Sequence, residues 1–442
     1  MNRRTFLAQA AGLSAAAALA AGGSGCAPPV DPDALILRGW PYEPDLVRAN
    51  LKRLRELGSD LEVDYAAMSG AYHDKMVAQF LAETPLDLVY VRDDHLAEWA
   101  EAGWLQPIDA FPGALSYREQ VFPFNWEALT LGERLYGLPY YSDFAIWVWN
   151  RRMLEEAGFS ECGRTLDEVT EQCVKIRERR ISGPAGPVEH PLVLGFKQAP
   201  LGMNDFWALM YASEAKLFTA DLEPIFPDDP DRRAERVLQW LVDGIHRHRI
   251  IDLPASFTTA LVRDLFAAGS QAMVAISKYD LQYLNDPKRS AVAGEAVMAP
   301  YPSLEPGLSG TLGWTRMYGV PTSCRRPEET WRLLEYLGGK DPRGEYSTAR
   351  FWYLAKGLGF AFPSLMEDPE VVRSTAGWGE IDKIRSQAAT ARPRECIKAP
   401  WFAELDAFYQ AEIQEILLRR VTPRDGLARI AAECRRLRSR WQ

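Results

Sequence analysis

The chain has 442 residues, of which 47% are hydrophobic and 25% are charged, as in a folded protein with more than one packed unit. This composition excludes a disordered chain, a collagen-like repeat and a polytopic membrane protein. The formal net charge of -9 argues against nucleic-acid binding and against attachment to an anionic membrane by charge alone. The chain also has 14 Trp, more than a core normally needs, which indicates a binding surface with aromatic side chains.

Residues 1–25 are predicted to be an export signal. Arg3 and Arg4 precede a mildly apolar, alanine-rich stretch, which is typical of a twin-arginine signal. Residues 23–26 resemble a lipobox ending in Cys26, although the first of them is Gly where that pattern has Leu. Cys26 is therefore a candidate lipidation site, and simple cleavage nearby is the alternative. Either way we expect the mature chain in the periplasm or on the outer face of the cytoplasmic membrane.

Strands and helices alternate after a linker at residues 26–33. In chain order we expect strand 34–40, helix 44–57, strand 61–65, helix 71–83, strand 86–91, helix 94–102, strands 135–141 and 144–150, helix 152–158, a helix opened by a capping box of Thr165 and Glu168, helices 199–215, 231–246 and 255–268, strands 271–276 and 296–299, and helices 328–337, 399–418 and 423–438. This order predicts an α/β fold with a parallel sheet. No mid-chain linker separates two units, which favours lobes between which the chain passes more than once.

The remaining cysteines and histidines indicate no metal site. The five cysteines after Cys26 form no Cys-x-x-Cys pair. A disulfide between Cys162 and Cys173 is one arrangement for an oxidising compartment, but we favour buried free thiols. The five His include no His-Glu-x-x-His motif, so no metal and no cofactor are expected.

Short segments match a known family in their order and spacing. They are residues 84–91, 94–109, 136–141, 149–158, 266–273, 310–313, 327–337 and 422–427. In these segments the chain resembles the carbohydrate-type extracellular solute-binding proteins of ABC transporters, the family that includes maltose-binding protein. It departs from the family at Trp149, where Tyr is usual, and after Thr165, where the usual Trp is missing.

The resemblance implies the type II fold of periplasmic binding proteins, with two lobes, hinge-crossing segments and a ligand cleft between the lobes. We expect residues 34–139 and 300–340 in the first lobe, and residues 140–299 and 341–442 in the second. The implied function is capture of a sugar or oligosaccharide, which cleft closure delivers to the membrane permease of an ABC importer. A monomer is expected.

Candidate ligand contacts follow from the rule that open α/β sheets bind ligands beyond the carboxyl ends of their strands. Aromatic rings suit the apolar face of a sugar, and charged groups suit its hydroxyls. The candidates are Trp40, Tyr72, Asp93, Asp94, Tyr141, Asp143, Trp207, Tyr279, Trp314, Arg316 and Trp352. Trp314 and Arg316 are placed just past a turn at Gly313. Trp331 and Trp441 fall on predicted helices and are expected to need no ligand.

Each kind of candidate has a structural alternative. Trp40, Trp207 and Trp352 could each be core residues. Asp93 could cap the helix that begins beside it, and Arg316 could pair with a surface carboxylate. If Trp40 or Trp314 binds ligand instead, replacing it by Ala should weaken ligand affinity and leave stability nearly unchanged.

Two other functions are alternatives to sugar binding. The acidic candidates among aromatic rings would also suit a polyamine, but an Arg316 that faces the cleft would oppose such a cation. The adjacent Asp93 and Asp94 invite a glycosidase interpretation, but neighbouring residues on one loop point apart. Because no nucleophile elbow or phosphate-binding glycine loop is present either, we expect no catalytic residues and no enzyme.

Overall fold

The computed structural model describes residues 33–252 and 257–441. The predicted export signal and Cys26 lie outside the described residues. Among the helices of the described part, none combines the length and the apolar character needed to cross a membrane.

Strands and helices alternate through most of the described chain. The strands are β1 (Leu35–Gly39), β2 (Val63–Ala67), β3 (Leu88–Arg92), β4 (Leu105–Gln106), β5 (Thr130–Leu131), β6 (Arg134–Leu135), β7 (Gly137–Asn150), β8 (Ser182–Gly183), β9 (Gly186–Pro187), β10 (Leu192–Val193), β11 (Met273–Ser277), β12 (Ala296–Ala299), β13 (Thr311–Pro321) and β14 (Ala391–Arg392). The α-helices are α1 (Pro44–Glu56), α2 (Tyr72–Leu81), α3 (Leu96–Glu101), α4 (Pro123–Leu129), α5 (Arg151–Glu156), α6 (Leu166–Glu178), α7 (Asn204–Ala212), α8 (Arg233–His246), α9 (Thr259–Ala267), α10 (Asp280–Leu284), α11 (Pro327–Gly338), α12 (Ser347–Lys356), α13 (Pro369–Ala376), α14 (Ile381–Ala389), α15 (Phe402–Leu417) and α16 (Pro423–Trp441). Two 3₁₀ helices cover Ala114–Glu119 and Pro363–Glu367.

Two long strands connect two lobes. The main sheet has the order β10-β11-β7-β13-β3-β1-β2, and β12 also pairs with β7. Residues 137–144 of β7 pair with β13, whereas residues 145–150 pair with β11 and β12. We call the unit around β1, β2 and β3 the first lobe and the unit around β10, β11 and β12 the second lobe. Because β7 belongs to both, the backbone crosses between the lobes without leaving the sheet.

The parallel arrangement predicted for the first part of the chain is confirmed. β1 pairs in parallel with β2 on one side and with β3 on the other. Helix α1 buries the apolar stripe of Val47, Leu51 and Leu54, whose spacing of three and four residues places them on one helix face. Parallel strands joined by helices bring their carboxyl ends to the same edge of the sheet, and this edge faces the cleft described below.

The apolar run of β7 is buried on both faces, as its lack of polar alternation indicates. Ile146 and Val148 belong to a hydrophobic cluster that is continuous with the first lobe. Trp147 and Trp149 point to the opposite face and belong to a second cluster, which includes residues of α7, α15 and α16. The second lobe therefore has helices on both sides of its sheet.

Strand β13 differs from the expectation of a turn at Gly313. That prediction is wrong, because Gly313, Trp314 and Arg316 lie inside an eleven-residue strand. A Cβ atom on Gly313 would come within 2.9 Å of the Phe124 ring, so the glycine makes room for an aromatic side chain and does not mark a chain reversal. The helix expected at residues 199–215 also begins later, at Asn204, and helices α12, α13 and α14 had no predicted counterpart.

The described cysteines are free thiols, as we favoured. Cys162 and Cys173 form no disulfide, and both are buried. Cys173 Sγ lies 3.9 Å from Met273 Sδ, within the second hydrophobic cluster. These thiols therefore contribute to packing as small apolar side chains.

The capping box at the start of α6 provides a local test of the fold. Thr165 Oγ1 accepts a hydrogen bond from Glu168 N at 3.2 Å, and Glu168 Oε2 accepts one from Thr165 N at 2.9 Å. Thr165→Ala removes the first bond and should lower the free energy of unfolding by about 1 kcal/mol in urea titrations. Thr165→Ser keeps the hydroxyl and should keep most of that stability. An equal loss in both variants would contradict the capping role.

Candidate functional site

A cavity of about 870 Å³ lies between the two lobes. Its first-lobe wall is made by Trp40, which follows β1, by the start of α2, and by the segment after β3. Its second-lobe wall is made by residues 198–201 and by the first turns of α15. The carboxyl ends of β1, β2 and β3 thus meet the other lobe where the strand-end rule predicts a ligand site.

Trp40 is held in place by two tyrosines. Its ring stacks on Tyr90 with centroids 5.9 Å apart, and the edge of the Tyr72 ring meets it at 5.6 Å. The Tyr72 hydroxyl donates a hydrogen bond to the backbone oxygen of Tyr90 at 2.6 Å, and this bond fixes the Tyr72 ring. Trp40 remains half-buried, and its free surface lines the cavity. The result is a rigid aromatic platform on the first-lobe wall.

A bidentate ion pair lies beside this platform. Arg92 Nε donates to Asp94 Oδ1 at 2.8 Å, and a second bond joins Arg92 Nη2 to Asp94 Oδ2. Burial opposes ionisation of Asp94, but the hydrogen bonds and the positive charge of Arg92 outweigh it and hold the pKa of this carboxyl well below its ordinary value. The pair is almost neutral as a unit, yet both side chains line the cavity and can exchange hydrogen bonds with a ligand.

Two histidines that sequence reasoning did not select also line the cavity. His73 Nε2 lies 2.7 Å from Glu98 Oε2, and this bond raises the pKa of His73. Burial lowers the pKa of His95 to about 3, so its imidazole is neutral, and its Nδ1 has no hydrogen-bond partner. They directly follow the candidates Tyr72 and Asp94 in sequence, but the candidates were restricted to Trp, Tyr, Asp and Arg, so these histidines were missed. In the described part of the chain, no group of three or more His, Cys, Asp or Glu is arranged to hold a metal ion.

Asp93 and Arg316 pair with each other away from the cavity wall. Asp93 is 1% exposed, forms an ion pair with Arg316 and accepts a hydrogen bond from Thr315 N at 3.4 Å. It therefore ties the end of β3 to β13 and caps no helix. Burial opposes the charge of Arg316, but the Asp93 carboxylate outweighs this and raises its pKa.

Asp143 is likewise satisfied inside the protein. It is 0% exposed, and its Oδ2 lies 3.6 Å from Lys278 Nζ and accepts a bond from Gly359 N at 3.1 Å. Burial raises the pKa of Asp143 and lowers that of Lys278. Tyr141 and Tyr279 are half-buried near this pair and pack against both hydrophobic clusters. These residues mark the crossing between the lobes.

Three of the predicted tryptophans lie in the core. Trp207 is 3% exposed, and its indole donates to the Tyr409 hydroxyl at 2.9 Å. Trp352 is 1% exposed and Trp314 is 6% exposed. Among the predicted ligand contacts, those that the structure brings to the cavity are Trp40, Tyr72 and Asp94.

The second-lobe wall depends on side chains that are far away in sequence. Gln410 accepts a bond from Ala199 N at 3.0 Å and donates one to Ala199 O at 2.9 Å. Asp406 Oδ2 accepts a bond from Leu201 N at 3.0 Å. These bonds replace the helix that was expected here and hold the loop against α15. The local sequence carries no signal for this wall, because it depends on a contact across some 200 residues.

Comparisons with known proteins agree with this architecture. The family model of the bacterial extracellular solute-binding proteins matches residues 40–343. The chain is similar to the maltose-bound MalE3 of T. maritima, with a TM-score of 0.76 and 19% identity, over 91% of this chain and 99% of that chain. It is also similar to the sugar-binding protein MalE of Xanthomonas citri, with a TM-score of 0.75 and 16% identity, over 92% and 98%. A protein of Brucella abortus strain 2308 is 21% identical over 327 residues, which cover 71% of this chain and 76% of that protein. The predicted two-lobe, type II fold is thereby confirmed.

The bond between His73 and Glu98 predicts a pH dependence of stability. Because folding raises the pKa of His73 above its ordinary value of 6.5, the stabilisation is complete below that pH and is lost as the pH rises through the raised pKa. Urea titrations at about pH 5 and about pH 9 should show a larger difference between wild type and His73→Ala at the lower pH. Glu98→Gln should remove most of this dependence. A difference that is independent of pH would contradict the assignment.

Proposed function

We propose that this chain, which belongs to the bacterial extracellular solute-binding proteins, captures a sugar or an oligosaccharide and delivers it to the permease of an ABC importer. The observation that carries the proposal is the cavity between the lobes, where the Trp40 platform lies beside the Arg92–Asp94 pair. An aromatic ring suits the apolar face of a sugar, and a carboxylate fixed by a guanidinium suits its hydroxyls. The two solved relatives whose descriptions name maltose and sugar support the same ligand class.

The ion pairs of the three candidate carboxylates count against a polyamine ligand. Two of the carboxylates considered for an ammonium group, Asp93 and Asp143, are buried and paired with Arg316 and Lys278. The third, Asp94, is already bound by a guanidinium. A cation in the cleft would have to compete with these partners for the carboxylates. A ligand hydroxyl group can instead donate a hydrogen bond to a lone pair that remains free on a paired carboxylate oxygen.

Capture would proceed by hinge closure about the crossing strands. β7 and β13 pair from one lobe towards the other, so bending at their centre changes the angle between the lobes and keeps each sheet intact. Closure would bring the loop held by Gln410 towards Trp40 and bury the ligand between two preformed walls. The energy for closure comes from contacts that only the closed form makes on both walls.

The remaining features complete the proposal. The chain is exported by residues 1–25 and is held at the outer face of the membrane if Cys26 is acylated. It acts as a monomer by binding alone, with no catalytic step, no cofactor and no nucleic-acid partner. The family to which it belongs is one of extracellular binding proteins, which supports both the compartment and the absence of chemistry.

The ligand class can be tested by thermal-shift screening of the mature chain against panels of saccharides and polyamines. A ligand present at about 100 times its Kd adds about 2.7 kcal/mol to stability, a clear rise in Tm. We expect at least one saccharide to produce such a rise and the polyamines to produce none. Stabilisation by polyamines alone would contradict the proposal.

Trp40→Ala should weaken saccharide affinity by more than about tenfold, or about 1.4 kcal/mol, because the platform is lost. Its effect on unfolding should be small, since Trp40 is half-buried at the edge of the core. Trp314→Ala is the matched comparison: as Trp314 is 6% exposed, the variant should lose about 3–5 kcal/mol of stability. This replaces the sequence-based expectation for Trp314. Calorimetric titration and urea unfolding measure both effects, and equal destabilisation by the two variants would show that Trp40 is only a core residue.

A further inference from the structure

Trp441 lies on the wall of the cavity, although its place on a predicted helix suggested packing alone. It is the last residue of α16, is half-buried and lines the cavity together with Ala403 and Glu404. Part of its ring packs against the second hydrophobic cluster. The ring is therefore anchored on one side and open to the cleft on the other.

Helices α15 and α16 form an antiparallel pair that carries Trp441 to this position. Arg429 pairs with Glu412 at 3.6 Å, and further along α16, Arg440 pairs with Glu404 at 3.4 Å. The residue numbers of the partners on α15 thus decrease as those on α16 increase, as expected for antiparallel helices. This register sets the last turn of α16 beside the first turn of α15, which forms the second-lobe wall.

Small side chains line the second-lobe wall together with Trp441. Ala399, Ala403 and Ala407, spaced four residues apart, all line the cavity along one face of α15 and the turn before it. Glu404 forms an ion pair with Arg440, which compensates the charge of the Glu404 carboxylate. An aromatic ring beside a row of methyl groups is an apolar surface suited to the face of a sugar ring.

The cavity therefore has a tryptophan on each wall, Trp40 from the first lobe and Trp441 from the second. Its volume of about 870 Å³ is near the upper end of the range of about 300–1,000 Å³ for small-molecule sites, which leaves room for more than one sugar ring. We infer that Trp441 is an outer ligand contact that holds a second or later ring, so that the site prefers oligosaccharides to monosaccharides. The inference rests on the proposed sugar-binding function.

The test uses calorimetric titration of the mature chain with glucose, maltose, maltotriose and maltotetraose, and with cello-oligosaccharides of the same lengths. Trp441→Ala should lower affinity for the longer members by about tenfold and leave glucose unaffected, because only later rings reach the outer contact. Trp441→Phe keeps an aromatic ring and should keep most of the affinity. Trp104→Ala is the matched control, since Trp104 is a half-buried tryptophan that stacks on Phe80 away from the cavity.

The possible results separate the inference from the function on which it rests. A wild-type affinity that does not increase beyond one ring, or a loss in Trp441→Ala that is the same for every length, would overturn the outer contact and leave sugar binding intact. Failure of the wild-type chain to bind any saccharide would contradict the proposed function and the inference together. Thermal melting of Trp441→Ala and Trp441→Phe shows whether either loss of affinity comes from unfolding.

Discussion

The cleft depends on the pairing of β7 with β13 at the crossing between the lobes. The side chain of Asn125, which is 0% exposed, donates to Ser142 Oγ on β7 at 2.6 Å and to Thr315 Oγ1 on β13 at 2.7 Å. The register of the two strands shifts between Arg316 and Met317, within one residue of these bonds. A buried amide that binds both strands fixes their alignment where the chain must pass from one lobe to the other, and thereby sets where the two cavity walls face each other.

Charges near the crossing explain why the cleft suits a neutral ligand. Asp93 directly follows β3, and Asp143 lies near the middle of β7. Each is buried against a cationic side chain of the protein. Breaking such a buried pair is costly, because it leaves one charge without a partner in a poorly solvated place. These groups therefore hold the crossing together. In the proposed function, the half-buried Arg92–Asp94 pair and the aromatic rings recognise the ligand, and contacts with sugar hydroxyls leave this ion pair intact.

The sequence predicted the fold better than it predicted the site, for a physical reason. Periodicity of apolar residues is local, so helix α1 and the parallel strands before the cleft could be placed within a few residues. The orientation of a tryptophan is set by partners that are distant in sequence: Trp207 bonds to Tyr409, and Trp40 packs on Tyr72 and Tyr90 yet stays half-buried. The strand-end rule found Trp40 and Asp94, which follow parallel strands. It could not find Trp441, because the register of two helices at the end of the chain brings that residue to the cavity.

Small-angle X-ray scattering of the mature chain with and without a bound saccharide tests the central claim most directly. Two lobes that close about β7 and β13 must make the molecule more compact when ligand fills the cavity between them. We predict a decrease in the radius of gyration at saturating saccharide, and a smaller decrease for Trp40→Ala than for wild type at a concentration that half-saturates the wild type. A chain that binds the saccharide with unchanged scattering would contradict closure of the cleft as the means of capture.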